Sequence, residues 1–180
     1  MNFIIFDLEA TCWEDRSIKL QNEIIEIGAI KINLAGERVS EFCEFIKPKL
    51  NPVLSDFCKQ LTKIKQAEVD FADPFDMVID RFKKWVKLDE PHLFCSWGFY
   101  DKKQIILDCA LYGLDRNWIE KHISLKHQYE RIKNLNRPIG MGGALKLEGF
   151  KLEGTHHRAI DDAKNISKIF LANMDKWVID

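Results

Sequence analysis

Residues 23–32, EIIEIGAIKI, place five isoleucines in ten positions. β-Branched side chains are stiff at χ1 and pack well on a pleated, half-buried surface, so the run predicts a strand. Two further extended runs flank it. Residues 2–6 are a short apolar run ending at Asp7, and residues 37–46 alternate loosely after Gly36, so 23–32 and 37–46 predict an antiparallel pair. Pro48 and Pro52 end that pair. A sheet this apolar has to be covered, and the later segments supply the helices. A short helix is expected over 53–60. A longer one follows Asp73-Pro74, a capping residue with proline at the first helical position, and buries Phe75, Val78, Ile79, Phe82, Trp85 and Val86. Leu93, Phe94 and Cys95 read as a short buried strand stopped by Gly98. A helix from Asp101 to Tyr112 ends at Gly113. Residues 115–140 read as mixed helix and loop. A last helix runs from Arg158 to Met174, with Ala159, Ala163, Ile166 and Phe170 on its buried face. Early hairpin strands followed by mixed strands and helices predict an α/β fold with a mixed sheet. With 180 residues and no repeat or linker-like stretch, residues 1–180 are expected to form one domain.

The acids carry the functional signal. Asp7 and Glu9 stand two residues apart at the end of an apolar strand, so both side chains point to one face. Two adjacent carboxylates repel unless a cation lies between them. Taken alone, the pair also fits a solvated strand end. Asp101 opens a helix, where the helix dipole favours an acid whatever else it does. Asp162 shares a stripe with Ile166 and Ile169, so it is expected to face inward, where a carboxylate is costly without a partner or a metal. Asp161 points elsewhere. His157 precedes Asp162 by five residues and belongs on the loop entering the last helix, leaning toward the same cleft, whereas His156 reads as a surface residue. Phosphodiester hydrolysis needs an activated water and stabilised phosphate and leaving oxygens, which two Mg²⁺ ions supply. Hard cations take oxygen ligands, and a histidine that titrates near neutrality can accept the proton of the attacking water.

In order along the chain, DLEATCW (7–13), SWGFYD (96–101) and HRAIDDAKN (157–165) resemble the three motifs of the DEDDh exonuclease superfamily. EATCW, EIIEIGAI, LSDFCKQLTKI and GTHHRAIDDAKN narrow the resemblance to the Eri-type 3′–5′ exoribonucleases and their bacterial KapD-like relatives, and it covers nearly the whole chain. The resemblance implies an RNase H-like fold with a central mixed sheet flanked by helices. It implies that Asp7, Glu9, Asp101 and Asp162 hold two Mg²⁺ or Mn²⁺ ions, with Glu9 also counted among the catalytic groups, and that His157 is the general base. It also implies that the backbone near Ala10 and Thr11 meets the terminal sugar and that Leu61 wedges against the terminal base. The family's usual LTGI reads LTKI here, with Lys63 in place of glycine.

The remaining features bound the partners. A net charge of −1 argues against a large DNA-coating surface and leaves room for a local site that holds metals and attracts phosphate. The partner expected is the 3′ end of an RNA, with DNA as the alternative substrate. A fold that binds nucleic acid or a protein partner without turnover is the alternative from another class. Five scattered cysteines without CxxC spacing point to a reducing cytoplasm. The N-terminus does not read as a signal peptide, and no apolar run is long enough to suggest a membrane span. Trp13 and Trp97 border the first two motifs, where they fit core packing or base stacking equally. Lys102, Lys103, Arg158 and the basic stretch 131–138 fit either solvated charge or contacts to phosphate. Glu23 and Glu26 are expected to have no metal role.

Overall fold

The computed structural model describes residues 1–15, 17 and 19–179. In chain order the elements are β1 (Asn2–Ala10), β2 (Ile24–Asn33), β3 (Arg38–Phe45), α1 (Asp56–Thr62), α2 (Gln66–Asp70), α3 (Phe75–Val86), β4 (His92–Ser96), α4 (Tyr100–Leu111), β5 (His122–Ser124), α5 (Leu125–Ile132), α6 (Met141–Leu147) and α7 (Ala159–Ala172). The strands form one mixed sheet in the order β3-β2-β1-β4-β5. β1 is its middle strand, antiparallel to β2 and parallel to β4. It runs further than its apolar residues alone suggest, because the ladder with β2 continues through Asp7↔Gly28 and Glu9↔Glu26.

Alternation along the strands divides the core in two. Ile4, Phe6, Leu8, Ile27, Ala29 and Phe94 pack against α3 and α4 on one face. Phe3, Ile5, Ile30, Ile32 and Cys95 pack against α5, α6 and α7 on the other. The result is a mixed sheet flanked by helices, as the sequence implied. The α3 stripe is buried as its spacing predicts, with Trp85 left partly buried at the margin. Its N-cap is Pro74 rather than Asp73. Asp73 is drawn off instead to Arg81, whose guanidinium lies 2.9 Å from it and 2.5 Å from Glu44.

One close approach decides where α7 sits. A Cβ added to Gly28 would fall 2.1 Å from the backbone nitrogen of Ile160 and 2.2 Å from the carbonyl carbon of Ala159. Only glycine at this place in β2 lets the first turn of α7 rest on the sheet, beside Asp7 on the neighbouring strand. Gly28→Ala is expected to lower stability by about 3 kcal/mol or more, since the clash is with backbone that cannot rotate away. Chemical denaturation measures this, and an unchanged midpoint would mean that α7 does not bear on β2.

Candidate active site

Asp7 and Glu9 leave β1 on the face of Phe3 and Ile5, the face that α7 covers. Asp162 comes down onto them from the first turn of α7. Asp101 arrives from the other side. The chain leaves β4 at Ser96, whose hydroxyl donates to the Gly98 carbonyl at 3.0 Å, turns through Gly98 at φ 130° and enters α4. The N-cap of α4 is Phe99, with no side-chain cap bond, so Asp101 does not cap the helix but stands within its first turn. The four acids line one cleft of about 390 Å³, together with His156, His157, Trp97 and Tyr100.

The carboxylates crowd one another. Oxygen atoms of Asp7, Glu9 and Asp162 lie within 4.8 Å of one another, and Asp101 faces the same cleft from outside that trio. Burial, then the charges of Asp101, Glu9 and Asp162, hold the Asp7 carboxyl well above the usual carboxylate range. Glu9 is pushed up to about 8 by burial first and by Asp162 and Glu26 next. Burial raises Asp101 to about 6. Such a cluster resists ionisation unless positive charge enters it. Its donors are all oxygen, the kind that hard divalent cations prefer, so the donor set fits the group that the motifs imply.

The loop before α7 is tied to the same carboxylate. His157 takes a left-handed backbone, φ 65°, which lets its N–H donate to Asp162 Oδ2 at 3.0 Å. His156 Nδ1 lies 3.1 Å from both Asp162 oxygens, and the two imidazoles stack with centroids 3.9 Å apart. His156 is exposed, as read from sequence, and also lines the cleft. Burial, and then the neighbouring His156, lowers the His157 pKa against the opposing pull of Asp162. At neutral pH the ring is thus mainly neutral and able to accept a proton.

Glu26 has a positioning role that the sequence did not reveal. Fully buried, it accepts from Ala159 N–H at 2.9 Å and from Arg158 Nε and Nη2 at 3.2 and 2.9 Å. This bond anchors the start of α7, five residues or fewer from His157 and Asp162. Arg158 is held there, beneath the Phe45 ring at 5.2 Å, and not free beside a phosphate. Glu23 also works structurally. Its carboxylate accepts the N–H groups of Lys49, Leu50 and Asn51 at 2.5–2.9 Å and so fixes the loop after β3.

Of the other residues singled out from the sequence, Trp97 lines the cleft and Ala10, Thr11, Leu61, Trp13 and Lys102 do not. Thr11 and Ala10 are buried. Thr11 gives its N–H to the Glu23 carbonyl at 2.8 Å, and its carbonyl accepts from Asn22 Nδ2 at 2.6 Å, so both backbone groups are already paired. Leu61 lies half-buried on α1, which is joined to the first motif by Ser55 Oγ donating to the Cys12 carbonyl at 2.6 Å. Trp97 does two things: its Nε1 donates to the Ile139 carbonyl at 3.1 Å, and its ring packs on Tyr129 at 5.6 Å while still lining the cleft. Trp13 is half-buried outside it. Lys102 donates to the Glu120 carbonyl at 2.9 Å.

Lys63 caps α1 at φ 62°, ψ 8°, with its N–H on the Lys59 carbonyl, the left-handed conformation that glycine adopts without strain. Lys63→Gly is expected to stabilise the protein by about 0.5–1 kcal/mol, the relief of the Cβ clash less the added freedom of the unfolded chain. Equilibrium unfolding reads this directly, and a loss of stability would count against the strain.

The comparisons with known proteins agree with this geometry. The exonuclease family RNase_T matches residues 4–170. ERI1 exoribonuclease 2 of Xenopus laevis is 33% identical over an alignment of 193 residues that takes in 92% of this chain and 27% of that protein. The 3′-5′ exoribonuclease 1 of Homo sapiens is 30% identical, over 92% of this chain and 50% of its own length. The chain thus spans between about a quarter and a half of these curated relatives. The crystal structure of the nuclease domain of 3′hExo, a DEDDh family member bound to rAMP, superposes with a TM-score of 0.93 at 29% identity, covering 99% of this chain and 96% of that domain. With the motifs in place on the fold they imply, the chain belongs to the RNase_T exonuclease family, in its DEDDh, ERI1-like branch, a family that implies divalent metal ions.

Proposed function

We infer that this chain is a 3′–5′ exoribonuclease that releases nucleoside 5′-monophosphates from single-stranded RNA or an RNA 3′ overhang. The observation that carries the reading is the convergence of four acids from three distant segments, with His157, on one cleft. The relatives are exoribonucleases by name, which favours RNA over DNA.

In this reading Asp7, Glu9, Asp101 and Asp162 hold two Mg²⁺ or Mn²⁺ ions. Bound divalent cations would make a water acidic enough to attack at neutral pH and would offset charge on the phosphate and the leaving oxygen. The chain's own residues do the rest. His157 accepts the water's proton on an imidazole nitrogen as the water oxygen bonds to phosphorus and the bond from phosphorus to the upstream O3′ breaks. The departing O3′ takes up a proton from solvent, and the products are a nucleoside 5′-monophosphate and a strand one nucleotide shorter with a 3′-hydroxyl. Glu26, through Ala159 and Arg158, keeps His157 and Asp162 in register with β1. Competition between matched RNA and DNA oligonucleotides tests the substrate class, with RNA expected to be consumed faster. Equal or faster loss of DNA would transfer the reading to a DNA exonuclease.

The crowded acids give a pH signature. Their folded-state pKa values lie above the ordinary ones, so the native protein binds more protons than the unfolded chain between the two, and native stability falls as pH rises through that window. For Glu9 the window runs from 4.5 to about 8, with Asp101 losing its share by about 6. The melting temperature in EDTA is expected to fall over this range, and the gain on adding Mn²⁺ to widen with it. A metal-induced gain that is the same at both ends would contradict the cluster as the metal site.

A further inference from the structure

A second pocket borders the cleft where the chain enters α4. It has a volume of about 220 Å³ and is lined by Phe99, His122, Ser124, His127 and Arg131 among others. Phe99 immediately precedes Tyr100 and Asp101, which line the cleft, so the two depressions share one short piece of backbone. Phe99 is 46% exposed. Its ring is not loose. It stacks on His127 with centroids 5.0 Å apart and planes inclined by 27°, and it leans on His122 at 5.9 Å. Each histidine is itself held: His127 Nδ1 lies 2.6 Å from Ser124 Oγ, and His122 Nε2 lies 2.9 Å from Ser96 Oγ. Arg131 is exposed at the rim and forms no ion pair among the described residues. In the same basic stretch, by contrast, Lys133 is committed to Glu148 at 2.9 Å.

A partly exposed aromatic ring braced by two histidines, beside a guanidinium with no ion pair among the described residues and next to the cleft proposed to cleave phosphodiesters, has the parts of a single-strand subsite: stacking for a base and positive charge for its phosphate. We propose that the pocket of Phe99, His127 and Arg131 binds a nucleotide of the substrate strand upstream of the one being removed, with the base stacked on Phe99 and a phosphate on Arg131. The subsite rests on the exoribonuclease reading for the identity of its strand. It adds what that reading lacks, a hold on the strand that remains after each cut. A base is accepted through its face, so the subsite contributes affinity and length dependence without sequence preference.

Two measurements test it. In the first, kcat/KM is measured for single-stranded oligoribonucleotides from dinucleotide to decamer. The wild-type value is expected to climb with length once the strand reaches the pocket, and Phe99→Ala to remove about tenfold of that climb. In the second, a 5′-fluorescein oligoribonucleotide is titrated into Asp7→Asn protein, with and without a second change. Phe99→Ala is expected to weaken binding about tenfold, and Arg131→Gln to lower the slope of log affinity against log salt by about 0.7, the loss of one phosphate contact on a single strand. Shortening of RNA with no effect of either change would overturn the subsite and leave the nuclease reading standing. Binding that depends on Phe99 in a protein that shortens nothing would support the subsite and overturn the nuclease reading. RNA neither bound nor cut would overturn both.

Discussion

Asp7→Asn is expected to lower kcat by at least about 10³-fold while leaving the native fold in place. The two side chains have the same shape, and Asp7 keeps its place in the β1–β2 ladder through its backbone, so β1 and its neighbours are undisturbed. What changes is charge. Asp7 is the acid that senses all the others, Asp101, Glu9 and Asp162, and it stands where a cation shared among them would sit. Losing one formal charge there removes several kcal/mol of interaction with divalent metal and with the charge that develops on phosphate. The same change relieves repulsion in metal-free protein. The variant should therefore melt no lower than wild type in EDTA at pH 8 and gain less on addition of Mn²⁺. A near-normal rate would remove Asp7 from the reaction, and an unchanged Mn²⁺ response would remove it from the metal site.

His157→Ala is expected to slow turnover by roughly 10²–10⁴-fold, the usual worth of a positioned general base. The imidazole is half-buried and its pKa is lowered by burial and by His156, so it is available as a neutral acceptor. Its neighbour supplies the control. His156 touches the Asp162 carboxylate from a more exposed position, and His156→Ala is expected to cost less than about tenfold, the effect of loosening one carboxylate's orientation. A pH–rate profile separates the roles: loss of the acidic limb in His157→Ala marks the base. The opposite ranking of the two variants would assign proton transfer to His156.

Residue spacing exposed much of this site because the chemistry is local in sequence. The two-residue interval of Asp7 and Glu9 on a strand fixes a shared face, and the helical interval from Asp162 to Ile166 turns the carboxylate toward the core. Other features are not local, and there the sequence was silent. Glu26 and Arg158 are 132 positions apart, so nothing near either one marks the pair. Gly28 reads as an ordinary interruption of an isoleucine run until α7 is seen to lie on it. His156 enters the cleft through the left-handed turn at His157, which a His-His dipeptide does not advertise. Among the elements, β5 has three residues, too few for a period to show. Helix α6 carries Gly142 and Gly143 in its first turn, where packing of Met141, Ala144 and Leu145 overrides weak propensity.

The most direct test of an exoribonuclease acting from the 3′ end is a time course on 3′- and 5′-labelled single-stranded RNA with Mg²⁺, Mn²⁺ or EDTA, including a strand whose 3′-hydroxyl is blocked. The expected result is a metal-dependent ladder of 5′-labelled products that shortens from the 3′ end, early release of the 3′ label as mononucleotide, and no shortening of the blocked strand. Shortening of the blocked strand from that end, or no cleavage by folded protein supplied with metal, would contradict it.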